Sequence, residues 1–240
     1  MSNYISRIFQ KARRHVFDDK SHQYLKRRGV TDDQIESLGI GFIPESEWPP
    51  YIDTEDASPD ELHYWNKSNK GSRLKGKLLF PLTNALGSVR ALQARTPDED
   101  TKDYWKYYSP KADVDAVFYG TSVAMQHIWE SRSVVLVEGI FDLPPVQRVF
   151  PNTICLGTAT VTERQMKFLK RYVDSVKIMA DNDKQGRKFF SRFYQDQKLN
   201  FKSIEKVQYS GEDPADSWAR LGAQGFQDQF NSEFMSGFMN

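Results

Sequence analysis

Acidic residues and glycines recur at particular points in the second half of this chain. Val137-Glu138-Gly139-Ile140-Phe141-Asp142 follows one apolar run and Ala180-Asp181-Asn182-Asp183 follows another. Gly211-Glu212-Asp213-Pro214-Ala215-Asp216 closes the series. Side chains two apart on an extended backbone share a face, so Asp181 and Asp183 are expected to point one way and Asn182 the other. Glu138 falls at the tip of a neighbouring predicted strand. Carboxylates gathered in one place repel each other, and a hard divalent cation relieves that repulsion. Mg²⁺ takes oxygen ligands, typically one or two carboxylates, and fills its shell with waters and substrate phosphates. Such a site can hold a triphosphate, ease attack by a hydroxyl group and stabilise the departing pyrophosphate. Gly139 would let the backbone turn tightly or approach a ligand. Taken singly, an Asp-x-Asp or an Asp-Pro is an ordinary turn. All of them in this order, each at a strand end, are hard to attribute to turns.

The elements that must position these acids are readable from periodicity. Ser133–Val137 is a continuous apolar run typical of a buried parallel strand. Residues 142–149 read as a helix, with Pro144 and Pro145 suited to its first turn. The pattern continues as a strand at 153–156, a helix at 162–172, a strand at 176–180, a helix at 185–197 and a strand at 203–209. Strands alternating with helices predict a parallel sheet with helices on both faces. In such open sheets ligands bind at the carboxyl ends of the strands, where the acids fall.

Before this unit the pattern is mixed α+β. Helices are predicted over 3–17 and 19–28. Thr31 with Gln34 three residues later forms the signature of a capped short helix running to Leu38, ended by Gly39, Gly41 and Pro44. Residues 44–72 are rich in Pro, Ser, Asp and Glu with interspersed aromatics, and read as a long loop with local helix. Strands follow at 77–82 and 88–95, joined by a turn at 84–87. A helix is predicted over 120–131. The expected organisation is an α+β subdomain at 1–130, a parallel-sheet domain at 131–216 and a short helical tail at 217–240.

The chain has 240 residues and a net charge of +1, so it is not a polycation. Basic residues nevertheless dominate before Gly29, where Arg7, Lys11, Arg13, Arg14, Lys20, Lys26, Arg27 and Arg28 face only Asp18 and Asp19. That end could hold phosphates, or be a solvated helix face. No stretch reaches the roughly 20 apolar residues of a membrane span, and the basic N-terminus lacks the apolar core of a secretory signal. Cys155 is the one cysteine, which excludes a disulfide framework and a cysteine-rich zinc site. A cytoplasmic setting is expected, the host cytoplasm if the chain is phage encoded.

These residues resemble the Toprim domain, the Rossmann-like catalytic unit shared by bacterial-type primases, type IA and type II topoisomerases and some nucleases. Glu138, Asp181 and Asp183 match its three metal-associated acids, and Asp142 matches a further acid after the Glu-Gly. Asp181 to Arg187 (DNDKQGR) is similar to the primase form of this segment, and Leu156 to Thr160 (LGTAT) to the Toprim connector. Lys26 to Ile43, Leu78 to Leu92, Lys106 to Pro110 (KYYSP) and Phe118-Tyr119-Gly120 resemble, in order, segments of the primase subdomain that precedes Toprim. The resemblance covers about residues 20–216 and is to a bacterial-type DNA primase catalytic core.

It implies template-directed synthesis of short RNA primers on single-stranded DNA from NTPs. Glu138, Asp181 and Asp183 would be catalytic and would organise Mg²⁺ or Mn²⁺, with Asp142 and Asp213 completing the acidic ring. Arg95, Lys106, Lys77, Gly139, Gly186 and Arg187 would bind nucleotide or template; Arg and Lys suit phosphate because they neutralise its charge. Tyr104, Trp105, Tyr107 and Tyr108 flank Lys106 and could stack bases, or simply pack a core. The family's N-terminal zinc-binding domain is absent, so no zinc is expected, and a replicative helicase or a separate zinc-binding subunit is the expected partner. The family's Asp-Pro-Asp is here Asp213-Pro214-Ala215, with Asp216 one place later, so one ring carboxylate is missing or displaced. Two rival readings use the same residues: a Toprim nuclease, and a non-catalytic subunit that grips nucleic acid or a helicase. Topoisomerase activity is excluded by size.

Overall fold

The computed structural model describes residues 4–15, 19–44, 74–97, 104–108, 118–157 and 160–236. The long loop expected at 44–72 lies outside the described residues, apart from residue 44 itself. So do Ser109 and Pro110 of the KYYSP segment. The chain divides into two compact units, Met1–Ser122 and Val123–Asn240.

The first unit contains α1 (Tyr4–Ala12), a 3₁₀ turn at Arg13–His15, α2 (Asp19–Arg27), α3 (Asp32–Ser37) and strands β1 (Gly41–Ile43), β2 (Lys77–Thr83), β3 (Val89–Arg95), β4 (Tyr104–Tyr108) and β5 (Phe118–Tyr119). Thr31 caps α3 as its sequence predicted: its hydroxyl accepts the Gln34 N–H while the Gln34 side chain reaches back to the Thr31 N–H. The strands are antiparallel. β3 lies between β2 and β4, while β1 and β5 pair with different stretches of β2. Pro81 interrupts a buried strand, a place proline usually avoids because it cannot donate to the ladder. β1 pairs with Lys77–Leu79 and β5 with Leu82 and Thr83, so Pro81 falls where that edge has no partner. Ile8, Phe9 and Ala12 of α1 pack with Ile43, Leu79, Leu92 and Ala94 into the core of this unit.

In the second unit come α4 (Thr121–Ser131, begun two residues before the division), β6 (Ser133–Val137), α5 (Leu143–Val149), β7 (Thr153–Cys155), α6 (Glu163–Tyr172), β8 (Ser175–Met179), α7 (Lys184–Gln197), β9 (Ser203–Lys206) and α8 (Pro214–Ser236). Its strands are all parallel, in the order β7-β6-β8-β9. The chain leaves β6 toward one side to form β7, then returns past it to form β8 on the other. Right-handed crossovers therefore put α5 on one face and α6 and α7 on the opposite face. β6 and β8 are the neighbouring strands at which the winding reverses. Such a switch point opens a crevice at the carboxyl ends of its two strands.

Val134–Val137, Ile154, Val176, Ile178 and Met179 are all buried in this sheet. The expected C-terminal tail is a 23-residue helical stretch, kinked at Gly222, where φ is 70°. It packs on α5: the Arg148 guanidinium lies over the Trp218 ring, and Phe230 meets both Phe150 and Phe226 edge-on.

Candidate metal and nucleotide site

The register of the parallel sheet sets Val137 beside Met179. Glu138, directly after β6, and Asp181, two residues past the end of β8, therefore emerge near one another at the switch point. Glu138 feels the charges of both Asp181 and Asp183, offset in part by the Asp181 backbone amide. These three acids, expected together from their order in the chain, are together.

The electrostatics are those of carboxylates crowded out of water. Burial first, then the Asp181 and Asp183 charges, push the Glu138 carboxyl up to about 7. Burial, then the Asp213 and Asp183 charges, push Asp181 up to about 6. Asp142 is also raised well above the usual carboxylate range, by burial and then by Asp213 and Asp181. Each protonated state leaves less negative charge in the crevice, which is how the chain tolerates the arrangement without a cation.

The five acids are not equivalent. Glu138 Oε1 and Asp181 Oδ1 are buried and have no hydrogen-bond partner. An unpaired buried oxygen costs free energy unless something meets it, and a cation fits both. Asp142 is different: its Oδ2 accepts the Gly139 N–H at 3.0 Å and its Oδ1 accepts the Ala215 N–H at 3.2 Å. It ties the loop after β6 to the start of α8. Asp183 caps α7, its Oδ1 accepting the Gly186 N–H at 2.7 Å. Asp213 Oδ1 accepts the Asp216 N–H at 2.6 Å. Asp216 does not supply the carboxylate missing at Ala215, because its Oδ2 turns back to the Glu212 N–H at 3.2 Å. Among the described residues no three His, Cys, Asp or Glu side chains are spaced to enclose an ion.

Both expected ligand-binding glycines have their amides engaged within the site, Gly139 with Asp142 and Gly186 with Asp183. Their small size serves close packing. A Cβ on Gly186 would overlap the Asp181 carbonyl oxygen, and one on Gly139 would overlap the Asp142 carboxylate. Arg187 Nη1 donates to the Asn182 carbonyl at 2.6 Å, leaving an exposed guanidinium beside the acids. In the first unit Arg95 ends β3, and Lys106 stands opposite Gln93 in the β3–β4 register. The Lys106 side chain and those of Tyr104, Trp105, Tyr107 and Tyr108 lie outside the described residues. Lys77 is 8% exposed and its Nζ donates to Thr96 Oγ1 at 2.8 Å.

Three features of this end escaped the sequence reading. Cys155 is buried, and its Sγ lies 3.3 Å from the Glu138 carbonyl. A cavity of about 440 Å³ opens beside Glu138, lined by Val161, Met166, Lys188, Phe189 and Arg192 among others. Tyr209 sits among the acids, held by bonds that span nearly thirty residues of sequence. None of these carries a local motif.

The crevice of acids at the switch point of the parallel sheet lies within residues 135–217, which a family model described as Toprim-like matches. More particularly, the chain is similar in sequence and in fold to the catalytic core of bacterial, DnaG-like DNA primases. It is 26% identical over 181 residues to the DNA primase of Neisseria meningitidis serogroup A, covering 72% of this chain and 30% of that protein. It is 27% identical over 230 residues to the DNA primase of Halalkalibacterium halodurans, covering 85% of this chain and 36% of that one. The chain thus spans about a third of the length of these relatives. Among solved structures, the zinc-binding and RNA polymerase domains of Aquifex aeolicus primase superpose with a TM-score of 0.77 at 23% identity, over 95% of this chain and 60% of that one. The RNA polymerase domain of Mycobacterium tuberculosis primase DnaG gives 0.77 at 20% identity, over 94% of this chain and 80% of that one.

Proposed function

We propose that the chain is the catalytic core of a DNA primase, which joins NTPs into short RNA primers on a single-stranded DNA template. The observation that carries the reading is the pair of buried, unpartnered oxygens of Glu138 and Asp181 at the sheet's switch point. Their chemistry suits a hard divalent cation. Glu138 and Asp181, with Asp183 beside them, would hold Mg²⁺ or Mn²⁺, and the bound ion would supply positive charge to phosphate oxygens. The other roles belong to the chain itself. Asp142 fixes the two loops that carry Glu138 and Asp213. Asp183 orients the first turn of α7, and with it Arg187. Arg95, Lys106 and Arg187 neutralise phosphates of nucleotide or template, Arg as a planar fork; Lys77, buried against Thr96, contributes least. Catalysis of this kind rests on positioning and charge neutralisation.

The relatives named DNA primase support the reaction class. A DnaG primase catalytic domain bound to single-stranded DNA, of the same fold with a TM-score of 0.74, supports the template. A replicative helicase or a zinc-binding subunit is the partner this reading expects, in the cytoplasm. Among the described residues no helix is long and apolar enough to cross a membrane.

The test is primer synthesis from labelled NTPs on single-stranded DNA, comparing the wild type with Asp181→Ala and Asp183→Ala. Both substitutions are expected to lower product by about 100-fold or more while circular dichroism stays unchanged. Wild-type product from either variant would overturn the ligand assignment. Cleavage of labelled DNA without NTP incorporation would identify a nuclease instead.

A further inference from the structure

Carboxylates that repel one another need something to hold their loops together before a cation arrives. The Asp213 charge acts on Asp181, and the two sit on separate segments, one after β8 and one after β9. Four short hydrogen bonds join those segments. The Asn182 side-chain amide donates to the carbonyls of Tyr209 at 3.1 Å and Gly211 at 2.8 Å. The Asn182 backbone N–H donates to the Glu212 carbonyl at 2.8 Å. In the opposite direction, the Tyr209 hydroxyl donates to the carbonyl of Ala180 at 3.0 Å, with the Glu212 carbonyl 3.4 Å away. Asn182 points away from its two acidic neighbours, and this clasp is what it points toward.

We propose that Tyr209, together with Asn182, is a positioning pair that holds the Asp181 turn against the Asp213 turn and so presets where Asp181 presents its metal-binding carboxylate. The inference rests on the metal-site reading above and goes one step further, to what keeps that site in register. Three observations support it. The bonds bracket Asp181 on both sides, through Ala180 before it and Asn182 after it. The Ala180 residue is fully buried, so water cannot replace the lost donor cheaply. The clasped loop is itself braced from α8, where the Gln229 side-chain oxygen accepts from the Ser210 N–H at 2.8 Å and from its hydroxyl at 2.7 Å. Tyr209 also has the right chemistry for the place. A phenol donates a hydrogen bond without adding a charge, and burial, then the surrounding acids, drive its ionisation above the usual range, so it stays a donor.

The consequence concerns metal selectivity. Mg²⁺ demands near-ideal octahedral geometry, whereas Ca²⁺ accepts a looser and variable shell. A site that has lost its clasp should therefore lose Mg²⁺ before Ca²⁺. The experiment is calorimetric titration of the full chain with Mg²⁺ and with Ca²⁺, for wild type, Tyr209→Phe and Asn182→Ala, alongside the Mg²⁺ dependence of primer synthesis and metal-free thermal melts. Tyr209→Phe is expected to weaken Mg²⁺ about five- to tenfold, the scale of one hydrogen bond, and Ca²⁺ less than about twofold. Its synthesis rate should return to near wild type at saturating Mg²⁺. Asn182→Ala should move Mg²⁺ in the same direction, and it decides the matter if Tyr209→Phe does not fold. Equal Mg²⁺ affinity in wild type and variants overturns the inference, even if the melting temperature falls, because that result marks a purely structural bond. An equal loss of both ions also overturns it. A wild type that binds neither ion is a different outcome: it removes the metal-site reading itself.

Discussion

Protons and metal compete for the same oxygens of Glu138 and Asp181. With the two carboxyls raised to about 7 and about 6, the half-saturating Mg²⁺ concentration for primer synthesis should climb as pH falls through that interval, while the rate at saturating Mg²⁺ changes less. Stability without metal should show the reverse trend. A carboxyl whose folded pKa lies above its unfolded value binds its proton more tightly in the folded state. The stability that these two carboxyls contribute without metal is therefore fully present below the ordinary carboxylate range, is lost as pH rises to about 7, and changes no further beyond. Urea midpoints measured across this range in chelator should fall with pH for the wild type and flatten for Glu138→Gln, and millimolar Mg²⁺ should restore the neutral-pH midpoint. Gly186→Ala is expected to cost about 1–3 kcal/mol in the same assay, because its methyl group would meet the Asp181 carbonyl. At this scale the sequence disclosed where Glu138 and Asp181 would fall, because each comes just after an apolar run that is a strand. It could not disclose that Asp142 serves two backbone amides, since Ala215 lies 73 residues away.

At the scale of elements, what is local was legible and what is borrowed from a partner was not. The Thr31 capping box is a four-residue signal and forms as read. The same signal at Thr162 and Gln165 starts α6, and Thr162→Ala should cost about 1 kcal/mol in urea unfolding. The strand at Gly41–Ile43, by contrast, looks in sequence like the punctuation after a helix. It is a strand because Leu78 and Leu79 stand across from it. The last strand is shorter than its apolar pattern, ending at Lys206, because residues 209–212 turn into the clasp around Asn182. In α8, Gly222 holds a backbone conformation that other residues reach only under strain, and nothing lies near its missing Cβ. Gly222→Ala should therefore destabilise by about 1–3 kcal/mol through the backbone alone, or straighten the helix; the helical content by circular dichroism separates these results.

At the scale of the molecule, the strands within each unit follow their own logic of pairing. The antiparallel strands of the first are neighbours in sequence or nearly so, and the parallel strands of the second are wound around β6. The proposed cation concerns only the loops of the second. Hydrogen exchange measured with and without Mg²⁺ should therefore show slowing at residues 137–142, 180–186 and 209–216 and no change in β2 and β3. Slowing confined to β2 and β3 would place the ion elsewhere.

The lone thiol of Cys155 lies directly behind Glu138, sealed in the sheet with its sulfur against the Glu138 carbonyl. An alkylating reagent can reach it only when the packing around this end of the sheet opens. The rate of modification is thus a clock for breathing of the acidic crevice, built into the wild-type chain and needing no engineered probe. A bound cation that tightens the crevice would slow that clock, and a competitor that empties the site would let it run.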